Sequence, residues 1–294
     1  MSARYLIGLV ALAAGAPSLA AAQDIQGPPA DTAAMADDMG GDMGGDTVTI
    51  GIGAAYMSDY EGSNDYKILP VPAAIGTIGG IAFTVLGTRA SADLIPSPAG
   101  PSWDVQLGPV AAVNFIRSNR QGIDDPQVRL LGERGTAIEL GGYAGIGKTG
   151  VITSAYDKLS VSVSYRHDVS DVHDSGIWQP TVNYFTPLSR KAGVGVFATA
   201  ERVGTNYVRT YYDISPAASA RTGLPVYSGR GGWKTWSVGA VGGYALTGDL
   251  LHGFKLVGGG TYRRMINAVG NSPLVRIAGS RDQWLAVAGI AYTF

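Results

Sequence analysis

The last fourteen residues of the chain, RDQWLAVAGIAYTF, alternate between two kinds of side chain. Successive side chains of an extended strand point to opposite faces. One face would hold Trp284, Ala286, Ala288, Ile290, Tyr292 and Phe294, and the other Val287, Gly289, Ala291 and Thr293. This segment is therefore predicted to be a β-strand with a mostly apolar face, and it ends the chain on an aromatic residue.

The same alternation recurs through residues 47–294. The clearest repeat places Leu159, Val161, Val163 and Tyr165 on one face and Ser160, Ser162, Ser164 and Arg166 on the other. Segments with an apolar face and a small or polar face are typical of transmembrane barrels. We therefore predict an all-β fold, a transmembrane antiparallel β-barrel of twelve strands, or of ten if residues 81–87 and 88–95 do not form a hairpin.

Other fold classes explain the composition less well. Beyond the N-terminus, no stretch approaches the roughly 20 apolar residues of a membrane-spanning helix. A soluble β-sandwich or an eight-stranded lipocalin-like barrel would also alternate. The 43 glycines, the Tyr and Trp residues near strand ends and the terminal Phe294 argue against both. The last predicted strand of this chain resembles the closing strand of outer-membrane barrels. In those proteins the final Phe is part of the signal that the outer-membrane assembly machinery recognises.

Two segments precede the predicted barrel. Arg4, an apolar run and the small residues Ala20 to Ala22 predict a signal peptide over residues 1–22. Residues 23–46 carry six Asp and no Lys or Arg, which predicts a flexible acidic leader in the periplasm. From residue 47 onward, 21 basic residues face 17 acidic ones. This mild excess suits contact with lipopolysaccharide and does not indicate nucleic acid.

The predicted connections fall into two sets. The long ones are residues 58–66, 117–134, 167–175, 213–232 and 267–282, and the short ones are 96–101, 148–157, 189–192 and 247–252. Outer-membrane barrels have short periplasmic turns and long external loops. The long set is thus predicted outside and the short set in the periplasm of a Gram-negative cell.

No motif predicts an enzyme. Gly142, Gly147, Lys148 and Thr149 match the phosphate-loop spacing, but the helix that such a loop requires is not indicated after them. The stretch HDVSDVHD, from His167 to Asp174, offers metal-ligand or catalytic side chains. A polar external loop is the favoured interpretation, because a sharp loop at a strand end attracts Asp, Ser and His for solvation alone. The chain has no Cys. We expect no catalytic residue, cofactor or metal ligand.

An ordered series of short motifs resembles the family of MltA-interacting protein (MipA) and OmpV, outer-membrane barrel proteins. The series covers residues 47–294 and departs from the family pattern at Asp213, where Gly is usual and a positive φ is therefore in question. Its members are Tyr60, Glu61, Gly62, Ser63, Pro70, Pro72, Tyr211, Tyr212, Ser215, Gly223, Leu224, Ser272, Pro273 and Phe294. We expect these residues to maintain structure, with the prolines at strand edges or turns and the glycines in turns.

The resemblance implies a scaffold that links a murein lytic transglycosylase to a penicillin-binding protein. In that hypothesis the leader 23–46 and the short turns bind the partners. A second hypothesis is a small channel, because Glu139, Arg166 and Glu201 are predicted to face the lumen. A third is surface adhesion through long loops such as residues 213–232.

Overall fold

The computed structural model describes residues 46–98 and 100–294, which form a closed antiparallel barrel. The strands are β1 (Thr47–Ser58), β2 (Tyr66–Ile78), β3 (Ile81–Leu86), β4 (Arg89–Asp93), β5 (Trp103–Asn114), β6 (Ala137–Thr149), β7 (Lys158–Asp168), β8 (Gly176–Pro187), β9 (Ala192–Val203), β10 (Gly232–Ala245), β11 (Gly253–Met265) and β12 (Asp282–Thr293). The prediction of a twelve-stranded transmembrane barrel is confirmed. The ten-strand alternative is wrong, because β3 and β4 do form a hairpin.

The barrel closes where the C-terminal strand pairs with the first strand. Thr49 lies opposite Thr293 and Tyr56 lies opposite Ala286 in the β1–β12 ladder. The amide of Phe294 extends this ladder by donating to Val48 O over 2.9 Å. The predicted signal peptide and acidic leader lie outside the described residues, apart from Asp46.

The outer surface carries the apolar face of each strand. On β1, Ile50 is 54% exposed and Ile52 60%, whereas Ala55, which points inward, is 1% exposed. On β12, Trp284 and Ile290 point outward. Large apolar side chains on an outer face are stable when lipid surrounds them. Within the described residues, none of the helices has the length and apolar character that a membrane crossing needs.

The two ends of the barrel differ. At the turn end, which carries both strand termini Thr47 and Thr293, the strands are joined by residues 79–80, 94–102, 150–157, 188–191 and 246–252. At the loop end, apart from the tight turn 87–88, the connections are residues 59–65, 115–136, 169–175, 204–231 and 266–281. From the usual asymmetry of outer-membrane barrels, we expect the turn end to face the periplasm.

The five long connections pack together into one body, which we call the cap. Its helices are α1 (Pro126–Arg129), α2 (Thr205–Tyr212), α3 (Pro216–Thr222), α4 (Asn267–Asn271) and α5 (Pro273–Arg276). Residues 213–232 were predicted only as a long connection, and their pattern did not indicate the helix α3 that lies within them. Tyr207, Ile123 and Val275 are among the fully buried residues of the apolar core of the cap. This burial supplies the packing that such short helices need, since isolated helices of this length are unstable.

The hairpin of β3 and β4 is short. The half of β2 nearest the loop end, residues 66–72, therefore pairs only with β1 within the sheet. Pairing of β2 with β3 begins at Ala73 and Leu86. Pro72 O accepts from Gly87 N, so the nitrogens of Pro72 and Pro70 face the side that lacks a strand partner. Proline has no N–H to leave unsatisfied. These two prolines therefore suit an edge that would otherwise hold unpaired donors.

We predict that Gly108→Ala weakens the barrel wall. A Cβ at Gly108 would lie 1.7 Å from Ala92 O, whereas a Cβ at Gly243 would have its nearest neighbour 3.8 Å away. The G108A variant should lose about 1–3 kcal/mol of unfolding free energy, the usual cost of overpacking. The control G243A should change little. Urea unfolding in lipid vesicles measures both, and equal stability of the two variants would contradict the close approach.

Candidate functional site

Glu61 lies where the cap meets the lumen of the barrel, and its side chain is buried. Its Oε2 accepts hydrogen bonds from the Tyr212 hydroxyl at 2.6 Å and the Tyr207 hydroxyl at 3.2 Å. Its Oε1 is 2.8 Å from Lys234 Nζ. Lys234 Nζ is also 2.8 Å from Glu201 Oε2. One lysine of the barrel wall therefore connects the cap to a carboxylate of the lumen.

The charges around Glu61 determine its protonation state. Burial by itself raises the pKa of Glu61, but attraction to Lys234 and then to Arg263 outweighs it and holds that pKa below its usual value. Burial, and next the carboxylate of Glu61, raise the pKa of Tyr212 well above its usual value. Tyr212 therefore stays protonated and donates its hydrogen bond to an ionised Glu61.

The three residues predicted to face the lumen lie beside one another below the cap. Arg166 Nε is 3.0 Å from Glu139 Oε2, and Arg166 Nη2 is 3.4 Å from Glu201 Oε1. Arg89 Nη2 lies 3.6 Å from the same Glu201 oxygen. Gln179 Oε1 accepts a hydrogen bond from Arg166 Nη1 at 2.7 Å. The arginines and carboxylates thus satisfy one another in a buried region, as buried charges require.

We call this set the ion network; it comprises Glu61, Arg89, Glu139, Arg166, Glu201, Lys234 and Arg263. Arg89, Lys234 and Arg263 were not among the residues predicted from the sequence. For Arg89 and Arg263 a signal was available, since the alternation assigns both to the inward face at the loop ends of β4 and β11. Strict alternation would instead place Lys234 on the outward face with Trp236, and the β-bulge between Trp233 and Thr235 turns it inward. The partners of all three were not predictable, because the pairs join residues far apart in the chain.

The ion network and the cap together close the loop end of the lumen. Lys234 and Arg166 are each 1% exposed, and Glu201 is 4% exposed. Side chains that line a water-filled pore would be solvated. Among the described residues, the barrel therefore has no open path at this level, and its interior there is a packed polar core.

The motif around Tyr60 forms a tight turn within the cap, in the connection of residues 59–65. Gly62 adopts φ 102°, a conformation that favours glycine. The hydroxyl of Tyr60 donates to Ala278 O at 2.9 Å, and Ser63 Oγ accepts from Asp65 N at 3.0 Å. The Tyr60 bond joins the first long connection to the last one, the Ser63 bond holds the turn itself, and together they keep Glu61 at the base of the cap.

Tyr211 lies in α2 and is buried in the apolar core of the cap. Its carbonyl accepts from Arg117 Nη1 at 2.9 Å. Burial, and then the positive charge of Arg134, lower the pKa of Arg117 to about 10. Arg117 therefore stays charged at neutral pH and joins the 115–136 loop to α2.

Helix α3 begins and ends at motif residues. Ser215 Oγ caps its first turn by accepting from Ala218 N at 3.2 Å. Gly223, at φ 74°, ends it by donating its N–H to Ser219 O. Leu224 then enters the apolar core of the cap. The motif residues Ser215, Gly223 and Leu224 thus cap one short helix at both ends and attach it to the apolar core of the cap.

The motif of Ser272 and Pro273 starts α5 and contacts the motif that contains Tyr212. Ser272 Oγ donates to Tyr212 O at 2.8 Å, and Pro273 occupies the first turn of α5, where a missing N–H costs nothing. Asp213 has φ −73°, so the positive φ considered for this position does not occur. Its carboxylate instead accepts from Gly229 N at 2.7 Å.

The histidine-rich stretch is a structured loop. Asp168 accepts hydrogen bonds from the amides of His173 and Asp174. His173 is buried with Nε2 3.4 Å from Glu139 Oε1, whereas the partly exposed His167 has Nε2 3.4 Å from Asp174 Oδ1. Over residues 46–98 and 100–294, no group of three or more His, Cys, Asp or Glu could hold a metal ion.

The residues that match the phosphate-loop spacing do not form a loop. Gly142 to Thr149 continue β6 to its end, paired with β5 and β7. No helix N-terminus follows within the described turn 150–157, so the amides that would bind phosphate are missing there.

Comparison with known proteins gave one family match. The family model described as "MltA-interacting protein MipA" matches residues 50–294. No curated protein matched the chain. Among solved structures, the outer-membrane channel DcaP of Acinetobacter baumannii is similar, with a TM-score of 0.40, 9% identity, and coverage of 85% of this chain and 96% of that chain. The outer-membrane protein OmpT of Vibrio cholerae gives a TM-score of 0.36, 7% identity, and coverage of 85% and 97%.

We predict that Lys234→Met loosens the cap. The substitution leaves Glu61 and Glu201 buried without their shared cation, which costs about 3–5 kcal/mol when a buried pair is broken. Protease cleavage within residues 204–231 should become faster, as measured on intact cells. Arg120→Met is the matched control, because its pair with Glu133 is exposed and contributes little. Equal cleavage rates for the two variants would refute a role of the ion network in holding the cap.

We also predict that the wild-type protein shows no steady conductance in planar lipid bilayers, because the ion network and cap close the lumen. K234M should produce intermittent openings. A constant ohmic conductance from the wild type would show that the loop end is open under these conditions, in conflict with the buried state of Lys234 and Arg166.

Proposed function

Because the chain belongs to the MipA family, named for interaction with MltA, we propose that this outer-membrane barrel is a non-enzymatic scaffold for a peptidoglycan-remodelling enzyme. The partner would be a murein lytic transglycosylase, with a penicillin-binding protein as the second enzyme. Peptidoglycan lies in the periplasm, so the turn end would bind it. Lipid and lipopolysaccharide would surround the barrel wall.

The observation that carries the proposal is the closed loop end of the lumen. A barrel that is packed with ion pairs below an apolar cap does not provide a transport route in this conformation. The rigid wall instead fixes the positions of its periplasmic turns. This favours a role in which the surface, and not the lumen, contacts the partner.

The turn of residues 150–157 has the properties of a docking element. Ile152 is 67% exposed and Tyr156 65% exposed, although both are large apolar or aromatic side chains. Asp157 holds the turn by accepting from the amides of Val151, at 2.6 Å, and Ile152, at 2.8 Å. Exposed aromatic and aliphatic side chains on a preorganised turn suit a protein interface.

Neighbouring residues extend this surface. Thr153 Oγ1 bonds to the Tyr184 hydroxyl at 2.8 Å and to Thr186 Oγ1 at 2.7 Å, which ties the turn to the end of β8. Leu188, in the next turn, is 67% exposed. We include the acidic leader, residues 23–46, in the proposed surface because it enters β1 at the same end.

Neither alternative hypothesis gains a comparable observation. The channel hypothesis requires the cap and the ion network to move apart. The adhesion hypothesis needs a different test from removal of residues 213–232, because Ile214 and Leu224 belong to the core of the cap. Substitution of exposed cap residues, such as Leu130 and Val226, would test adhesion without removing that core.

We predict that the double variant Ile152→Ser, Tyr156→Ser loses about tenfold in affinity for a lytic transglycosylase, because it removes apolar anchors worth at least 1.4 kcal/mol together. Capture of the purified transglycosylase on barrels in lipid nanodiscs measures this. The matched control, Leu130→Ser with Val226→Ser, alters exposed apolar residues at the opposite end and should bind normally.

Two outcomes would count against the proposal in different ways. Full binding by the Ile152 and Tyr156 variant would remove turn 150–157 from the surface, and a chain lacking residues 23–46 would then test the leader. If the wild type captures no lytic transglycosylase, the scaffold function itself is wrong.

A further inference from the structure

The lumen near the turn end has two unlike walls. The wall of β5 to β8 is polar: Lys158 Nζ lies 2.9 Å from Asp104 Oδ2, and Ser160, Ser162 and Asn183 are buried there. The opposite wall, from β10 through β12 to β1, β2 and β3, encloses a cavity of about 160 Å³ with an almost entirely apolar lining. Lumens of outer-membrane barrels are normally polar. This apolar wall therefore needs its own explanation.

The cavity is closed toward the cap and reaches the turn end. Ala55, Met57 and Val71 form a small buried apolar cluster on the cap side. At the other side, the cavity is lined by the strand-end residue Thr293 and by Leu251 of the β10–β11 turn. A ligand would thus enter from the periplasm, and the cavity does not continue into the ion network.

Small side chains create the space. Gly51, Gly243 and Gly289 line the cavity from three different strands. A Cβ at Gly243 would find its nearest neighbours at 3.8 and 3.9 Å, so a side chain there would project into open volume. An apolar cavity of about 150 Å³ in T4 lysozyme stays dry and binds benzene. The cavity found here therefore has room for about six carbon atoms.

One cation lies at the mouth of the cavity. Lys255 is 7% exposed, lines the cavity, and donates from Nζ to Leu250 O and Thr293 Oγ1. Both partners are neutral, and the carboxylate of Asp249, in the β10–β11 turn, attracts this nitrogen without an ion-pair contact among the described residues. A buried cation that no counter-ion contacts is costly unless an anion joins it. Thr49 and Thr293, whose hydroxyls are 2.6 Å apart, add polar groups at the same place.

We propose that this cavity binds one aliphatic chain of about six carbons, with an anionic headgroup held at Lys255 and the threonine hydroxyls. The chain would fill the apolar volume, and the headgroup would supply the missing charge. A two-chain phospholipid is too large for the cavity. This inference is independent of the scaffold function, because the cavity lies inside the barrel and turn 150–157 lies outside it.

The experiment is a titration in lipid nanodiscs, followed by NMR of methyl groups of the lining residues Val241, Val257 and Val287. Hexanoate, hexyl phosphate and 1-hexanol have the same chain length and differ in the headgroup. Hexanoate or hexyl phosphate should produce saturable shifts, and the tighter of the two identifies the headgroup. The neutral 1-hexanol should bind about tenfold more weakly, the usual effect of losing one charge-assisted hydrogen bond.

Three variants separate the parts of the proposal. Gly243→Leu fills the cavity and should weaken binding of the anionic ligand at least about tenfold, since a filled volume cannot accept the chain. Gly242→Leu, the adjacent residue, points to the lipid and should bind as the wild type does. Lys255→Met should bind the anionic ligand and 1-hexanol equally.

Folding of each variant is checked by its heat-modifiable migration in gels, and Ala73→Leu replaces Gly243→Leu if that chain does not fold. Absence of saturable shifts in the wild type would overturn the proposal. Equal affinity of Gly243→Leu and Gly242→Leu would overturn the assignment to this cavity. An unchanged preference for the anion in Lys255→Met would overturn the role of Lys255.

Discussion

The pairing of β12 with β1 is the contact on which the rest of this structure depends. In lipid, each unsatisfied backbone donor costs several kcal/mol, so the sheet is stable in the membrane only when it is closed. Closure places every second side chain in the interior, within reach of residues from distant strands. The ion network, the polar wall and the apolar cavity are all consequences of that inward set. The same demand explains Pro70 and Pro72, which carry no donor at the short edge of β2.

The side chains inside the barrel differ in chemistry between the loop end and the turn end. Near the cap, carboxylates and cations from six strands and one loop neutralise one another, and the aromatic hydroxyls of α2 complete the set. Nearer the periplasm, one wall is polar and the other is apolar. Buried ion pairs are weak contributors to stability but costly to break. The network therefore acts as a specific connection between barrel and cap, and it leaves the apolar cavity as the part of the lumen that is open to a ligand.

Much of the fold could be predicted because the strand period is local. The alternation in residues 159–166 assigned each side chain to a face, and the even count of strands placed the four predicted short turns at one end. The motif residues were also identifiable one by one. Their convergence was not, because Tyr60, Tyr212 and Ser272 meet through loops whose packing no periodicity describes. The helices of the cap are too short to leave a periodic signal, and they form because their apolar faces are buried together.

The sequence by itself determined the architecture, because the two-residue period of its segments specifies the strands of a membrane-spanning barrel. It also assigned Glu139, Arg166 and Glu201 to the inward face. Only the tertiary structure decided which charges pair, that Lys234 connects Glu61 to Glu201, and that the loops close the lumen. The physical reason is the separation along the chain. The direction of a side chain follows from its neighbours in one strand, whereas its contacts depend on how twelve strands and five long loops come together.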